Sequence, residues 1–425
     1  MASSSPAASR AIERLWAAIE QRQAELIELV AELVRRPSEL GQEQEAQALV
    51  ADHMGSSGLT PDIWDIPPEL LALENAGDSG VPFTGRPNVA AILSGSGGGR
   101  SLILNGHIDV VSPEPVADWS YDPWSATIDG DRMYGRGAYD MKSGIALNLF
   151  LPRLLAELGI KLDGDLIVQS VIEEECTGNG ALAASLRYPA DAAIVTEPTG
   201  GDFTSAHVGV LWFRIAIAGK SWHAMQAYRG VNAILKARPV IDALVDLDRR
   251  LNEQPVHPSF AGIEHPINLN IGVIRGGDWP STVPGRCELH CRLCCYPDQP
   301  VADVRAEIER AVRSATDKDA WLREHPPAIT YDGFQSAGSV VSLAEPSVQL
   351  LGAWHERVTG RLMAPRSGTG INDMRYFNFV GIPAGCYGAD GGNAHAADEW
   401  LALPSLVPTA KILGAFIIDW CGISR

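Results

Sequence analysis

The stretch LILNGHIDVV, Leu102 to Val111, sets an imidazole and a carboxylate two residues apart at the end of an apolar run. Positions i and i+2 of a strand share a face, so His107 and Asp109 would point the same way. Such a pair does little alone. Four further segments add to it: GRGAYDMKSG (135–144), VIEEECTGNG (171–180), VTEPT (195–199) and GGNAHAADEW (391–400). Each puts acids or a histidine beside a glycine-rich turn or at the end of an apolar run. Taken singly, Asp140 reads as a helix N-cap, Glu173-Glu174-Glu175 as a solvated charge run, Glu197 as a turn residue and His395 as a loop histidine. Taken jointly, they supply nitrogen and oxygen donors of the kind that hold two divalent ions in a hydrolytic site. That donor set suits zinc, with cobalt or manganese as alternatives.

Such groups meet only if the fold brings strand ends together. Apolar spacing predicts a helix over residues 9–36, stopped by Pro37, and another over 43–53. Strands are expected at 86–93, 101–110, 165–175 and 191–198, with helices at 143–158 and 180–186. This alternation implies an α/β fold with a mixed, mostly parallel sheet sandwiched by helices. In open sheets of that kind, sites form where loops converge at the carboxyl ends of strands. From about His207 the texture changes. Strand, helix, two strands, helix and strand follow in order, the pattern of a ferredoxin-like β-α-β-β-α-β unit. The expected division is a catalytic domain from residues 1–205 and 335–425 with a domain inserted at 206–334. Within the insert, CELHCRLCC (287–295) could be a metal knuckle. Its period-two alternation of Cys287, Leu289, Cys291 and Leu293 with polar residues favours a half-buried strand.

Composition narrows the function classes. The chain has 425 residues, 46% of them hydrophobic, enough for a large core. Its 52 acidic and 34 basic residues leave a formal charge of −18, which disfavours nucleic acid and anionic membrane as partners. No apolar run reads as a membrane helix, and the N-terminal MASSSPAASRAIERLW lacks the apolar core of a signal peptide. Seven cysteines fit a reducing, cytoplasmic setting.

The five segments, in this order, resemble the metallohydrolase family of acetylornithine deacetylase, succinyl-diaminopimelate desuccinylase, aminoacylase and carboxypeptidase G. The resemblance extends from LVRRPS near residue 33 to HAADE near 399. It implies that His107 and Glu197 hold one metal, that Glu175 and His395 hold the other, and that Asp140 bridges them. It implies further that Asp109 orients the His107 ring, that Glu174 is the general base, and that the Asp140–Met141 peptide is cis. Amide hydrolysis would then use water whose pKa falls from about 15.7 towards about 7 beside two divalent ions. Glu174 would carry the proton from that water to the leaving amine.

The inserted segment GKSWHAMQAYRGVNAI (219–234) resembles the family's stretch for dimerisation and substrate contact. There His223 matches a histidine that reaches across a dimer interface, and Arg292 matches an arginine that holds a substrate carboxylate. An exposed loop histidine and an ordinary surface arginine are the plainer readings. Three positions depart from the family pattern: Ala227 replaces a proline, Ser281 a substrate-contacting asparagine, and Asn372 a threonine beside Asp373. The metal set is intact and the substrate set altered. The expectation is a homodimeric deacylase of small amides bearing a carboxylate, with a metallopeptidase and a non-catalytic metal-binding homologue as alternatives.

Overall fold

The structure is a computed structural model that describes residues 5–423. Residues 1–4 and 424–425, at the outer ends of the two catalytic segments and of the N-terminal stretch read above, lie outside the described residues. A nine-stranded sheet runs in the order Asp62–Asp65, Pro87–Leu93, Leu166–Val171, Leu102–His107, Ala193–Val195, Ala384–Cys386, Phe203–His207 and Ser339–Val340, with Pro365–Gly368 alongside Phe203–His207. The four strands from Leu166–Val171 to Ala384–Cys386 are mutually parallel. Antiparallel pairs flank them on both sides.

Both faces of the parallel centre are covered, which explains its unbroken apolar runs. Leu102 and Leu104 face a large core shared with Leu15, Leu29, Leu147 and Phe416. Ile103 and Ile167 face a smaller one with Met374, Phe377 and Ile382. The helix expected over 9–36 is two helices, Pro6–Gln21 and Gln23–Val34, broken at Arg22. The break lets the first lie on helix Leu403–Cys421 and the second on helix Ser143–Glu157. Leu403–Cys421 also corrects the expectation that no apolar run is long enough for a membrane. It has 19 residues, a mean hydropathy of 1.2 and 61% of that window buried in the molecule. Its apolar character is spread around the helix because protein packs on several sides of it.

Strand ends differ from expectation where it matters. The strand expected over 165–175 stops at Val171, because the chain turns at Glu173, whose φ is +67°. The strand expected to run past Asp109 stops at His107.

Residues after His207 build a second sheet in the order Leu269–Gly276, Arg286–Cys295, Gly209–Ala218, Ala328–Ser336, antiparallel throughout. Helices Ala233–Asn252 and Val301–Asp317 pack on one face, and the Asn232 side chain caps the first of them. Cys287, Leu289, Cys291 and Leu293 are buried in that core, and all seven cysteines are free. A further small sheet joins Gly391–Gly392, Trp400–Ala402, Arg132–Tyr134 and Thr127–Asp129. It places the loop bearing His395 against the loop bearing Asp140.

Helix Ser143–Glu157 starts hard against the sheet. A Cβ on Gly144 would stand 2.2 Å from the Thr196 carbonyl oxygen and 2.7 Å from its hydroxyl. Gly144→Ala is expected to lower stability by about 1–3 kcal/mol, as overpacking does. Urea unfolding checks this; an unchanged midpoint would mean the helix can retreat freely.

Candidate metal centre

His107 ends the second strand of the parallel centre and is 1% exposed. Its main-chain N–H donates to the Met141 sulfur at 3.2 Å. Its Nδ1 donates to the Asp109 main-chain carbonyl at 2.9 Å, while the Asp109 carboxylate lies 3.7 Å from the same nitrogen. The ring is therefore aimed by the backbone of Asp109. The carboxylate of Asp109 instead accepts the N–H groups of Glu174 at 3.2 Å and Glu175 at 3.1 Å. One aspartate thus ties the His107 strand to the turn bearing the acidic triplet.

That turn separates the three glutamates. Glu173 points into the protein and is fully buried. There it meets Arg86 at 2.7 Å, the Thr177 hydroxyl at 2.7 Å and Asn179 at 3.2 Å. Arg86 also pairs with buried Glu43 at 2.5 Å. Glu174 and Glu175 face the other way, towards His107 and His395. Helix Ser143–Glu157 has no side-chain cap, so Asp140 is not its N-cap. The Asp140–Met141 peptide is cis.

His107 Nε2 looks into three carboxylates: Asp140 at 3.3 Å, Glu197 at 3.6 Å and Glu174 at 3.9 Å. His395 Nε2 lies 3.0 Å from Glu175 and 3.5 Å from Asp140. Ligand atoms of His107, Glu174 and Glu197 lie within 4.8 Å of one another, as do those of His107, Asp140 and Glu175. Among the described residues no lysine or arginine pairs with these four acids.

The crowding shows in the titration of the groups. Burial pushes Glu174 and Glu197 well above the usual carboxylate range, outweighing the His107 charge. Burial also resists a charge on His107, but Glu197, Asp140 and Glu174 hold it well above the ordinary imidazole value. Asp140 is pulled down despite burial, because both imidazoles stand against it. Asp140 and Glu175 raise His395 to about 10. With its Nδ1 proton committed to a carbonyl, His107 presents a buried Nε2 without a hydrogen-bond partner to a ring of acids. A cation between them fits that arrangement, and imidazole with carboxylates suits zinc, cobalt or manganese.

Among the described residues the expected substrate residues make no hydrogen bond to this cluster. Exposed His223 sits on a two-stranded ribbon, Trp222–His223 with Thr282–Val283, and its Nδ1 accepts the Met225 N–H. The Ser281 carbonyl accepts the Ala224 N–H on the same ribbon. Arg292 lies on the sheet face away from the helices. It donates to the Thr369 carbonyl at 3.0 Å and to the Cys294 sulfur at 2.9 Å. Asn372 follows three residues after Thr369, and its side chain accepts the Met374 N–H. The sequence reading passed over Glu399, which is fully buried and bonded to the Asp140 loop. The signal was an acid directly before the apolar strand Trp400–Ala402.

The two kinds of glutamate have different expected phenotypes. Glu173→Gln removes a charge-assisted bond to Arg86, which keeps Glu43, and is expected to cost about 1–3 kcal/mol of stability with metal content retained. Glu175→Gln is expected to reduce metal content with far less effect on unfolding. Metal analysis and denaturation of both variants check this; the reverse pattern would exchange their roles.

Known proteins complete the description. Residues 103–419 match the model of Peptidase family M20/M25/M40. N-formyl-4-amino-5-aminomethyl-2-methylpyrimidine deformylase of Bacillus subtilis is 32% identical, covering 95% of this chain and 96% of the relative. Acetylornithine deacetylase of Photorhabdus laumondii is 30% identical, covering 80% and 85%. A dipeptidase of Saccharomyces cerevisiae shares the fold at a TM-score of 0.79 and 13% identity, covering 96% of this chain and 98% of its own. With that match across most of its length, over the segments that carry the histidines and acids, this chain belongs to Peptidase family M20/M25/M40, a family of metal-dependent amide hydrolases.

Proposed function

We propose that this chain is a deacylase that removes a small acyl group from a primary amine, with an N-formyl aminomethylpyrimidine as its first candidate substrate. The observation that carries the hydrolytic part is the buried Nε2 of His107 facing Asp140, Glu174 and Glu197. The substrate rests on the deformylase relative, which is matched from end to end where the acetylornithine deacetylase is matched over 80% of the chain. It also rests on the altered positions Ser281 and Asn372.

In this reading His107 and Glu197 hold one divalent ion, Glu175 and His395 the other, and Asp140 lies between. Such ions, when bound, acidify water and polarise an amide carbonyl. The protein's own part is proton movement and placement. Glu174, held by the bond from its N–H to Asp109, takes the proton from the attacking water. It returns that proton to the amine nitrogen as the C–N bond breaks, so an amide and water become a carboxylic acid and an amine. Burial raises its hold on a proton above that of an ordinary carboxylate, which suits a group that must carry one. Zinc is the first candidate metal, with cobalt or manganese possible. The seven free cysteines suit a reducing cytoplasmic setting.

The dimer is part of the proposal. The ribbon bearing His223 adjoins exposed Met225, Tyr228, Leu235, Ile274 and Trp279. Strand Leu269–Gly276 leaves one edge of its sheet unpaired. A second copy would cover these surfaces and let His223 reach the partner's substrate, and Arg292 and Asn372 would contact substrate from this chain.

Metal analysis is expected to give close to two ions per chain. Glu174→Gln is expected to keep them and to lose about 10²–10⁴ in kcat. Retained turnover would move the base elsewhere. A panel of N-formyl aminomethylpyrimidine, N-acetylornithine and dipeptides chooses among deformylase, deacetylase and peptidase. Sedimentation is expected to show a dimer, with His223→Ala lowering activity at unchanged metal content; a fully active monomer would refute the shared site.

A further inference from the structure

Glu399 follows His395 by four residues and enters strand Trp400–Ala402. Its carboxylate is fully buried. Oε1 accepts the main-chain N–H groups of Tyr139 and Asp140, each at 3.0 Å. Oε2 accepts the N–H of Gly137 at 3.1 Å and Nη1 of Arg136 at 2.6 Å. The Glu399 main-chain carbonyl takes the N–H of Gly135 at 3.0 Å. The adjacent acid, Asp398, turns the other way and holds Ser120.

We propose that Glu399 is a positioning residue, whose single carboxylate locks the Asp140 loop to the His395 loop and so sets where the second metal ion sits. The inference rests on the metal-holding roles given above to Asp140, Glu175 and His395. Glu399 touches neither their side chains nor a substrate. Its action is through the backbone of Asp140 on one side and through the short chain to His395 on the other.

The chemistry requires a carboxylate at this point. Four donors converge on it, and an ionised carboxylate offers about four lone-pair sites. Glutamine offers one oxygen and an NH₂ group, which would face either two N–H groups or the Arg136 guanidinium. Arg136, 2% exposed, would lose its only ion-pair partner among the described residues. Because Arg136 neutralises Glu399, the pair adds no net charge to the anionic centre beside it. His107 and Glu197 gain nothing directly from Glu399, since their strands are held by the main sheet. Loss of Glu399 is therefore expected to act unequally on the two ions.

The test is a zinc titration of full-length wild type and Glu399→Gln against a chelating indicator, with the visible spectrum of each cobalt(II)-loaded protein. The variant is expected to bind the ion at His107 and Glu197 only slightly more weakly, through Asp140 alone, and the other about 10–100-fold more weakly. Its cobalt spectrum is expected to change chiefly at the second equivalent. kcat is expected to fall with KM unchanged and to recover in part with added metal, and Glu399→Asp, which keeps the charge, to fall between. Two ions at wild-type affinity with unchanged spectra would overturn the proposal, and so would equal weakening of both. If Glu399→Gln does not fold, Arg136→Lys carries the same test: it keeps the charge and loses the fixed guanidinium bond, so selective weakening of the second ion supports the proposal and no change overturns it. Wild-type protein that takes up no ion would overturn the metal reading and this inference with it.

Discussion

Carboxylates repel, and this chain aims four of them at two imidazoles in one place. Two unit charges 4 Å apart still interact by about 4 kcal/mol at the effective dielectric of a protein's outer shell. Folding must hold such a cluster against its own field. The holding is done from behind: His107 by the parallel ladder and the Asp109 carbonyl, the Glu174–Glu175 turn by the Asp109 carboxylate. Every other feature near the centre follows from keeping those strand ends stiff while their charges oppose one another.

The buried acids sort themselves by what meets them. Glu43 and Glu173 share Arg86, and Glu399 has Arg136. The first is a hydrogen-bonded triad of two acids on one arginine and the second a neutral hydrogen-bonded pair. Among the described residues Asp140, Glu174, Glu175 and Glu197 pair only with imidazoles. An arginine within reach would close the cluster and leave no place for a divalent ion. Among the described residues these four acids lack the permanent counter-charge that Arg86 and Arg136 give Glu43, Glu173 and Glu399, and that contrast supports the proposed metal site.

Much of this was legible in the residues. The parallel centre could be read because both its faces are buried, which turns strands into apolar runs. The four-stranded sheet after His207 could be read because its strands have one covered face and alternate, as Cys287 to Cys295 do. The proposed site could be read as a set of five segments, none of which says much alone. What sequence hid were the turns. Alternation along 165–175 would send Glu173 and Glu175 to one side and Glu174 to the other. The left-handed backbone of Glu173 cancels that rule and brings Glu174 and Glu175 to the centre together. The roles of Asp109 were hidden in the same way, since its carbonyl and its carboxylate serve different partners. Glu399 was hidden because a buried acid looks like a surface acid until its donors are in view.

The positions that depart from the family pattern have a common place. Ala227 and Ser281 lie by the exposed ribbon Trp222–His223, and Asn372 lies in the loop that Arg292 reaches through Thr369. None is on a strand end that holds the acidic cluster. The ribbon makes no hydrogen bond to that cluster among the described residues, so its side chains can vary without disturbing the strand ends. Arg292 is one of several links between the two sheets, because it binds a carbonyl of the Asn372 loop, as Ser367 binds the Ser259 carbonyl and Gly333 the Asp78 carbonyl. A guanidinium carries five N–H donors, and the Thr369 carbonyl and the Cys294 sulfur take two of them, so Arg292 can hold that loop and keep donors for another group.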